Sequence, residues 1–392
     1  MSQSIIMTSP FHVSPVRTAD QQTAGDTVIE ALRGLAALMV VATHYSYMLT
    51  TQPGLWGFGS TGVDLFFVLS GYVFAPYVFG KRLSFLPHLM RRFFRLYPLY
   101  LFALLLYVGL RMPTTTAWDH FWVHLVMGHT LVSLTTANFY NPAFWSLPPE
   151  VEYYLILPIL AWWTARHPNS RSRFVWLVLL AAILHFALVA AAYPDEKGIT
   201  VRAIATIHLP GLLIEFMLGS AAYAIVQQGP RGLAAVVRSA VGLLILVGMA
   251  FIFAIYVMPV DGVAQTAPIW IGGNFGLGAA LGYALVVSGI ASPLKDANHQ
   301  PKHSAATKSR LRAKTVLQII CSAMGALSYG IYLFHNAAPQ ILRRVAPEMD
   351  GGAALLACVG VTTALAFAAH HAIEKPMRAY GRKLSHTAAR SK

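Results

Sequence analysis

Ala31–His44 reads ALRGLAALMVVATH, an apolar run with one arginine near its start, Arg33, and one histidine near its end, His44. The two stand eleven positions apart. At 100° per residue that is three turns and about 20°, so both side chains leave one face of a helix. At about 1.5 Å rise per residue they lie ~16 Å apart along the axis, about half the hydrocarbon thickness of a bilayer. A cation at a membrane edge would then share a face with an imidazole deep inside. An ionisable group at that depth is costly and points to function. The plain alternative is a histidine bonded to a neighbouring helix, with no chemistry.

The rest of the chain says the run does lie in a membrane. Of 392 residues, 56% are hydrophobic and only 11% charged, with a mean hydropathy of +0.56. A soluble domain carries about 25% charge. Ten apolar stretches are expected to span: 29–49, 60–80, 94–111, 149–165, 174–193, 204–226, 239–258, 269–291, 316–341 and 352–373. The expected fold class is therefore all-α, a polytopic membrane protein. A net charge of +14 would suggest nucleic acid in a soluble chain, but the basic residues fall at span ends, so no nucleic-acid partner is expected. Of the 29 Lys and Arg, 24 lie in the tails, in the connections after even-numbered spans, or just inside the span ends that border them. That bias puts both termini in the cytoplasm, Arg33 at the cytoplasmic edge and His44 in the outer half.

Residues 1–27 are expected to be a flexible cytoplasmic tail, 28–380 the membrane domain and 381–392 a basic cytoplasmic tail. Within the domain, 112–148 forms a long outer loop and 292–315 a basic cytoplasmic loop. Phe121 to Leu134 is too short and His-rich to span easily, and reads as re-entrant or interfacial. Cys321 and Cys358 have no metal or redox spacing. No internal repeat is visible.

Several polar residues accompany the pair. In GVDLFFVLSGY, Asp64 sits near the outer end of span two and Ser70 near its middle, on different faces. Asp64 would either orient a histidine or be solvated; Ser70, beside Gly71, suits close helix packing. Arg92 and Arg95 in RRFFRLYP share a face, as phosphate binding or ordinary positive-inside topology would both require. The outer loop carries His120, His124, His129, Trp118, Trp122 and Trp145, and its aromatic faces suit a sugar. Glu150 and Glu152 point to opposite faces. His120 and His124 have no third ligand, so no metal is expected. His208 and Glu215, seven apart in span six, would share a face. In LSYGIYLFH, Tyr329, Tyr332 and His335 form one polar face, either a helix interface or a pocket lining. No GxSxG, P-loop or GxGxxG occurs.

With those residues in view, the chain resembles the acyltransferase-3 family of bacterial integral-membrane acyltransferases, which includes the O-antigen and exopolysaccharide O-acetyltransferases. The resemblance rests on LRGLAALMVVATH, GVDLFFVLSGY, RRFFRLYP, WSLPPEVEYYLILP, LSYGIYLFH and the closing IEKP, in that order, over about 28–380. It implies transfer of an acyl group, most often acetyl from acetyl-CoA, to a hydroxyl of a carbohydrate or lipid-linked glycan, in the bacterial inner membrane. His44 would be catalytic, with Glu150 or Asp64 setting its tautomer, either as general base or through an acyl-histidine. Arg33, Arg92 and Arg95 would hold coenzyme A phosphates. Trp145, Ser70, Tyr329, Tyr332 and His335 would line the substrate path. This chain departs from the family at Pro148-Pro149, and at Gly211-Leu212, where relatives often carry an arginine. Two rival functions remain open: a transporter or flippase of a glycolipid, and acylation of a small molecule.

Overall fold

The computed structural model describes residues 24–50, 54–81, 83–165, 170–192, 205–229, 232–257, 273–291 and 308–390. Helices fill these, with no strand among the described residues. The long ones are α1 (Ala24–Tyr45), α2 (Gly62–Val78), α3 (Phe85–Arg111), α4 (Leu147–Ala165), α5 (Ser170–Ala192), α6 (Leu209–Gln228), α7 (Leu233–Ile252), α8 (Phe275–Ile290), α9 (Lys308–Phe334), α10 (Ala337–Val345), α11 (Gly351–Ala369) and α12 (Lys375–Arg390).

Among the described residues each expected span overlaps helix, span 316–341 being split by a turn at His335–Asn336, but seven helices there are long and apolar enough to cross a bilayer: α1, α2, α3, α5, α6, α7 and α11. The shortfall has local causes. α4 carries Glu150, Glu152 and three prolines, Pro148, Pro149 and Pro158, which lower its hydropathy. α8 and the apolar part of α9, Gln318–Phe334, are short. The expected tail 1–27 lies outside the described residues up to 23, as does the expected basic loop from 292 to 307. Its last residues begin α9, and the basic end from 381 continues α12 to Arg390.

Small residues set the closest helix pairs, as expected where lipid gives no hydrophobic drive for association. A Cβ on Gly71 of α2 would overlap the Phe216 carbonyl of α6, and one on Gly219 would overlap the Val68 carbonyl of α2. Ser220 Oγ, one residue on, donates to Gly71 O at 3.0 Å. So Gly71, not Ser70, is the packing residue. α1 runs parallel to α9: Glu30 lies against Gly325, Gly34 against Met324, and His44 against His335. Phe67, Phe216 and Tyr153 stack through the middle, at 5.0 and 4.2 Å between ring centroids.

The 112–146 connection is folded. It winds through short turns at Phe121–Leu125, His129–Leu131, Leu134–Ala137 and Pro142–Ser146. Tyr100 and Tyr107 of α3 reach His124 O (2.6 Å) and Leu333 O (2.9 Å). Asn141 Nδ2 donates to Leu333 O at 3.0 Å, while its Oδ1 accepts from Ala143 N and from Asn336 Nδ2. Asn141 thereby ties the connection to the end of α9, beside His335.

Candidate active site

Two polar centres lie along α1. The first surrounds Arg33. Its Nη1 pairs with Glu30 Oε1 at 3.2 Å, and it lies within electrostatic reach of Arg95, Tyr154 and Glu150. From α3, the Arg92 guanidinium stacks on Phe74 (4.6 Å) and faces Tyr154 (5.5 Å). Its Nε is buried without a hydrogen-bond partner. Arg95, one turn on, makes no hydrogen bond or ion pair among the described residues. From α4, Glu150 Oε1 accepts from Tyr154 OH and, at 3.3 Å, from Ser70 Oγ. Arg33, Arg92, Arg95, Glu150 and Ser70, drawn from four helices, thus form one centre. Buried guanidinium without full pairing is costly, and its planar fork matches phosphate oxygens. The centre fits a phosphorylated ligand.

The second centre surrounds His44, at the last turn of α1. Its Nδ1 donates to Val40 O at 2.9 Å, so its Nε2 presents a lone pair. The ring is part-exposed and lies 4.8 Å from that of His335, tilted by 59°. His335 is fully buried; its Nδ1 donates to Tyr332 O at 2.8 Å, and its Nε2 has no hydrogen-bond partner. Two neighbouring imidazoles therefore each carry an acceptor nitrogen without a protein hydrogen bond. Tyr45 OH holds the backbone here, donating to His335 O at 2.6 Å. The orienting group for His44 is its own helix carbonyl. Neither Glu150 nor Asp64 hydrogen-bonds to it, which corrects the expectation that a carboxylate sets its tautomer.

The expected polar face on α9 divides among three partners. Tyr329 OH donates to Leu96 O of α3 at 3.0 Å and lies near Glu150. Tyr332 OH donates to Ala143 O at 2.8 Å and shares a 2.6 Å bond with Ser146 Oγ. His335 meets His44. Trp145, half-buried, packs its edge on Phe67 at 6.4 Å. Tyr329 therefore belongs to the arginine centre and His335 to the histidine centre, with Tyr332 between them.

Asp64 lies apart from both. It hydrogen-bonds to Glu215 of α6, both oxygens lying beside Gly276 of α8. Glu152 turns away from Glu150, as its two-residue spacing requires. It bonds His208 Nδ1 and accepts from Leu209 N at 2.8 Å, capping α6. His208 is thus an extended residue before that helix, with ψ of 173°, and not a turn of it facing Glu215. His124 and His129 stack at 4.2 Å, their Nε2 atoms donating to Thr136 O and Phe144 O. They are structural pins of the connection. Among the described residues no three His, Cys, Asp or Glu side chains assemble as metal ligands. Sequence reasoning missed Glu30, Tyr154, Glu374 and Arg378, which adjoin the arginines; the spacing of Glu30 to Arg33 was the available signal.

A family model described as "Acyltransferase domain" matches residues 26–371. The chain is 33% identical over 189 residues to "Protein 2 in picA locus" of Rhizobium radiobacter, covering 42% of this chain and 93% of that protein. It is 28% identical over 226 residues to "Acyltransferase MdmB" of Streptomyces mycarofaciens, covering 51% of this chain and 57% of that one. No solved structure matches it.

Proposed function

The chain belongs to the acyltransferase-3 family, and from that premise we propose that it moves an acyl group, acetyl above all, from cytosolic acyl-CoA to a hydroxyl of a carbohydrate or glycoconjugate at the outer face of the inner membrane. The observation that carries this is the division of α1: Arg33 stands within the arginine centre, and His44 stands three turns further on, beside His335. Donor phosphates dock among Arg33, Arg92 and Arg95 from the cytoplasmic side. The thin pantetheine arm then runs along α1 to bring its thioester to His44.

His44 Nε2 accepts the proton of the acceptor hydroxyl. The hydroxyl oxygen forms the new C–O bond with the acyl carbon as the C–S bond breaks. The departing thiolate takes the proton back from His44, so proton and charge balance. Val40 O holds the tautomer this requires. Glu150 works at the donor end, where Tyr154 and Ser70 fix it between the arginines. Trp145, Tyr332 and the folded 112–146 connection form the acceptor side.

The test is acetyl-CoA turnover by the purified protein in lipid, with and without polysaccharide fragments. Acceptor-dependent release of free coenzyme A is expected. No release of coenzyme A with any hydroxyl acceptor, together with movement of a glycolipid across the bilayer, would overturn the assignment in favour of a flippase.

A further inference from the structure

The arginine centre continues beyond the residues used so far. α11 passes into α12 through one π-helical turn, His370–Glu374, a local distortion often found at functional sites. The turn aims Glu374, only 4% exposed, at two donors: it accepts from His370 Nδ1 at 2.9 Å and from Arg378 Nη1 at 3.2 Å. Arg378 in turn lies within electrostatic reach of Arg95, Glu30 and Arg382. The Arg33–Glu30 and Arg378–Glu374 pairs therefore flank Arg95 from two helices.

α12 is built to hold that position. A Cβ on Gly381 would press into the Phe94 side chain of α3, Tyr380 packs its edge on Phe94 at 5.3 Å, and Arg91 Nη1 donates to Ser385 Oγ at 3.3 Å. Charge within the centre does not balance. Arg33, Arg92, Arg95 and Arg378 face Glu30, Glu150 and Glu374, and Glu150 already accepts from Tyr154 and Ser70. The excess is positive, and an unpaired Nε sits at Arg92. Depth also differs: the Arg33 side chain is 13% exposed, that of Arg378 34%. Arg378 is the rim of the centre and Arg33 its floor.

We propose that Arg378 binds the 3′-phosphate of the coenzyme A donor, exchanging Glu374 for that phosphate, while the deeper arginines take the pyrophosphate. The assignment rests on acyl-CoA being the donor. It follows from the order of groups along such a molecule: the acyl-pantetheine end enters first, the pyrophosphate follows, and the phosphorylated ribose stays outermost. A carboxylate partner at the rim suits exchange, because it satisfies the guanidinium fork before the donor arrives.

The test compares acetyl-CoA with 3′-dephospho-acetyl-CoA as donors for the wild-type protein, Arg378→Gln and Arg378→Lys in lipid nanodiscs. The wild type should favour acetyl-CoA. Arg378→Gln should raise KM for acetyl-CoA about tenfold, the order of one charged hydrogen bond, leave kcat unchanged and leave KM for the dephospho donor unchanged. The preference then disappears. Arg378→Lys, which keeps the charge without the fork, should retain part of it, and it supplies the same comparison if the glutamine variant unfolds. An equal rise in both KM values, a fall in kcat alone, or a wild type that treats the two donors alike would overturn the 3′-phosphate assignment while leaving the acyltransferase reading intact. A wild type that binds neither donor would overturn that reading, and the Arg378 assignment with it.

Discussion

The His44 and His335 rings lie 4.8 Å apart, each with its Nδ1 proton committed to a backbone carbonyl of its own helix segment. Both Nε2 lone pairs are thus left uncommitted, on two neighbouring rings. An imidazolium formed at His44 can be steadied by the bare nitrogen of His335. His335→Phe should lower kcat about 10- to 100-fold with little change in donor KM. Steady-state kinetics check this; an unchanged kcat would make His335 a packing residue only.

Glu150 Oε1 has two donors, Tyr154 OH and, at a long 3.3 Å, Ser70 Oγ. Tyr154 also covers Arg92. Ser70→Ala should therefore change turnover by less than about threefold, whereas Tyr154→Phe should raise donor KM by about tenfold. Comparable effects from the two would contradict this ranking.

Across the α2–α6 contact Gly71 faces the backbone of Phe216, and Gly219 that of Val68. Gly71→Ala forces those helices apart and should destabilise by about 1–3 kcal/mol, read as a lower thermal midpoint in detergent. Gly109, with open space where a Cβ would stand, is the control; Gly109→Ala should leave the midpoint nearly unchanged or raise it.

The 112–146 connection should loosen in acid. Burial, and for His124 also the neighbouring His129, holds these imidazoles down, to about 3 for His124 and about 4 for His129. Their ordinary value is 6.5. Below it the opened connection takes up protons that the folded one refuses, so the stability they lend is complete above 6.5 and is lost as pH falls towards 4. Hydrogen exchange of 112–146 at pH 5 and pH 7.5 checks the sign. Equal protection at both would count against it, and His129→Phe should weaken the dependence.

The helix Ala24–Tyr45 and its Arg33-to-His44 spacing were legible because local periodicity determines them. So was the split between Glu150 and Glu152, which two-residue spacing on any helix imposes. Pairings between distant segments were not. Asp64 finds Glu215, 151 positions away, and no local pattern announces it. His208 looked like a helical residue because Leu209–Pro210 follows it in an apolar run, but Glu152 draws it out as the residue before the helix. α12 looked like a solvated basic tail from its charge. Gly381 and Ser385 within it and Glu374 just before it, spaced seven and four, are buried, and that spacing was the overlooked sign of a packed face.

The division of α1 between donor binding and chemistry is tested most directly by one variant read two ways. His44→Ala in lipid should bind acetyl-CoA as the wild type does, because Arg33, Arg92 and Arg95 are untouched, yet release no coenzyme A when an acceptor is added. Turnover at the wild-type rate in that variant would contradict a catalytic His44. Loss of donor binding along with turnover would contradict the separation of the two centres.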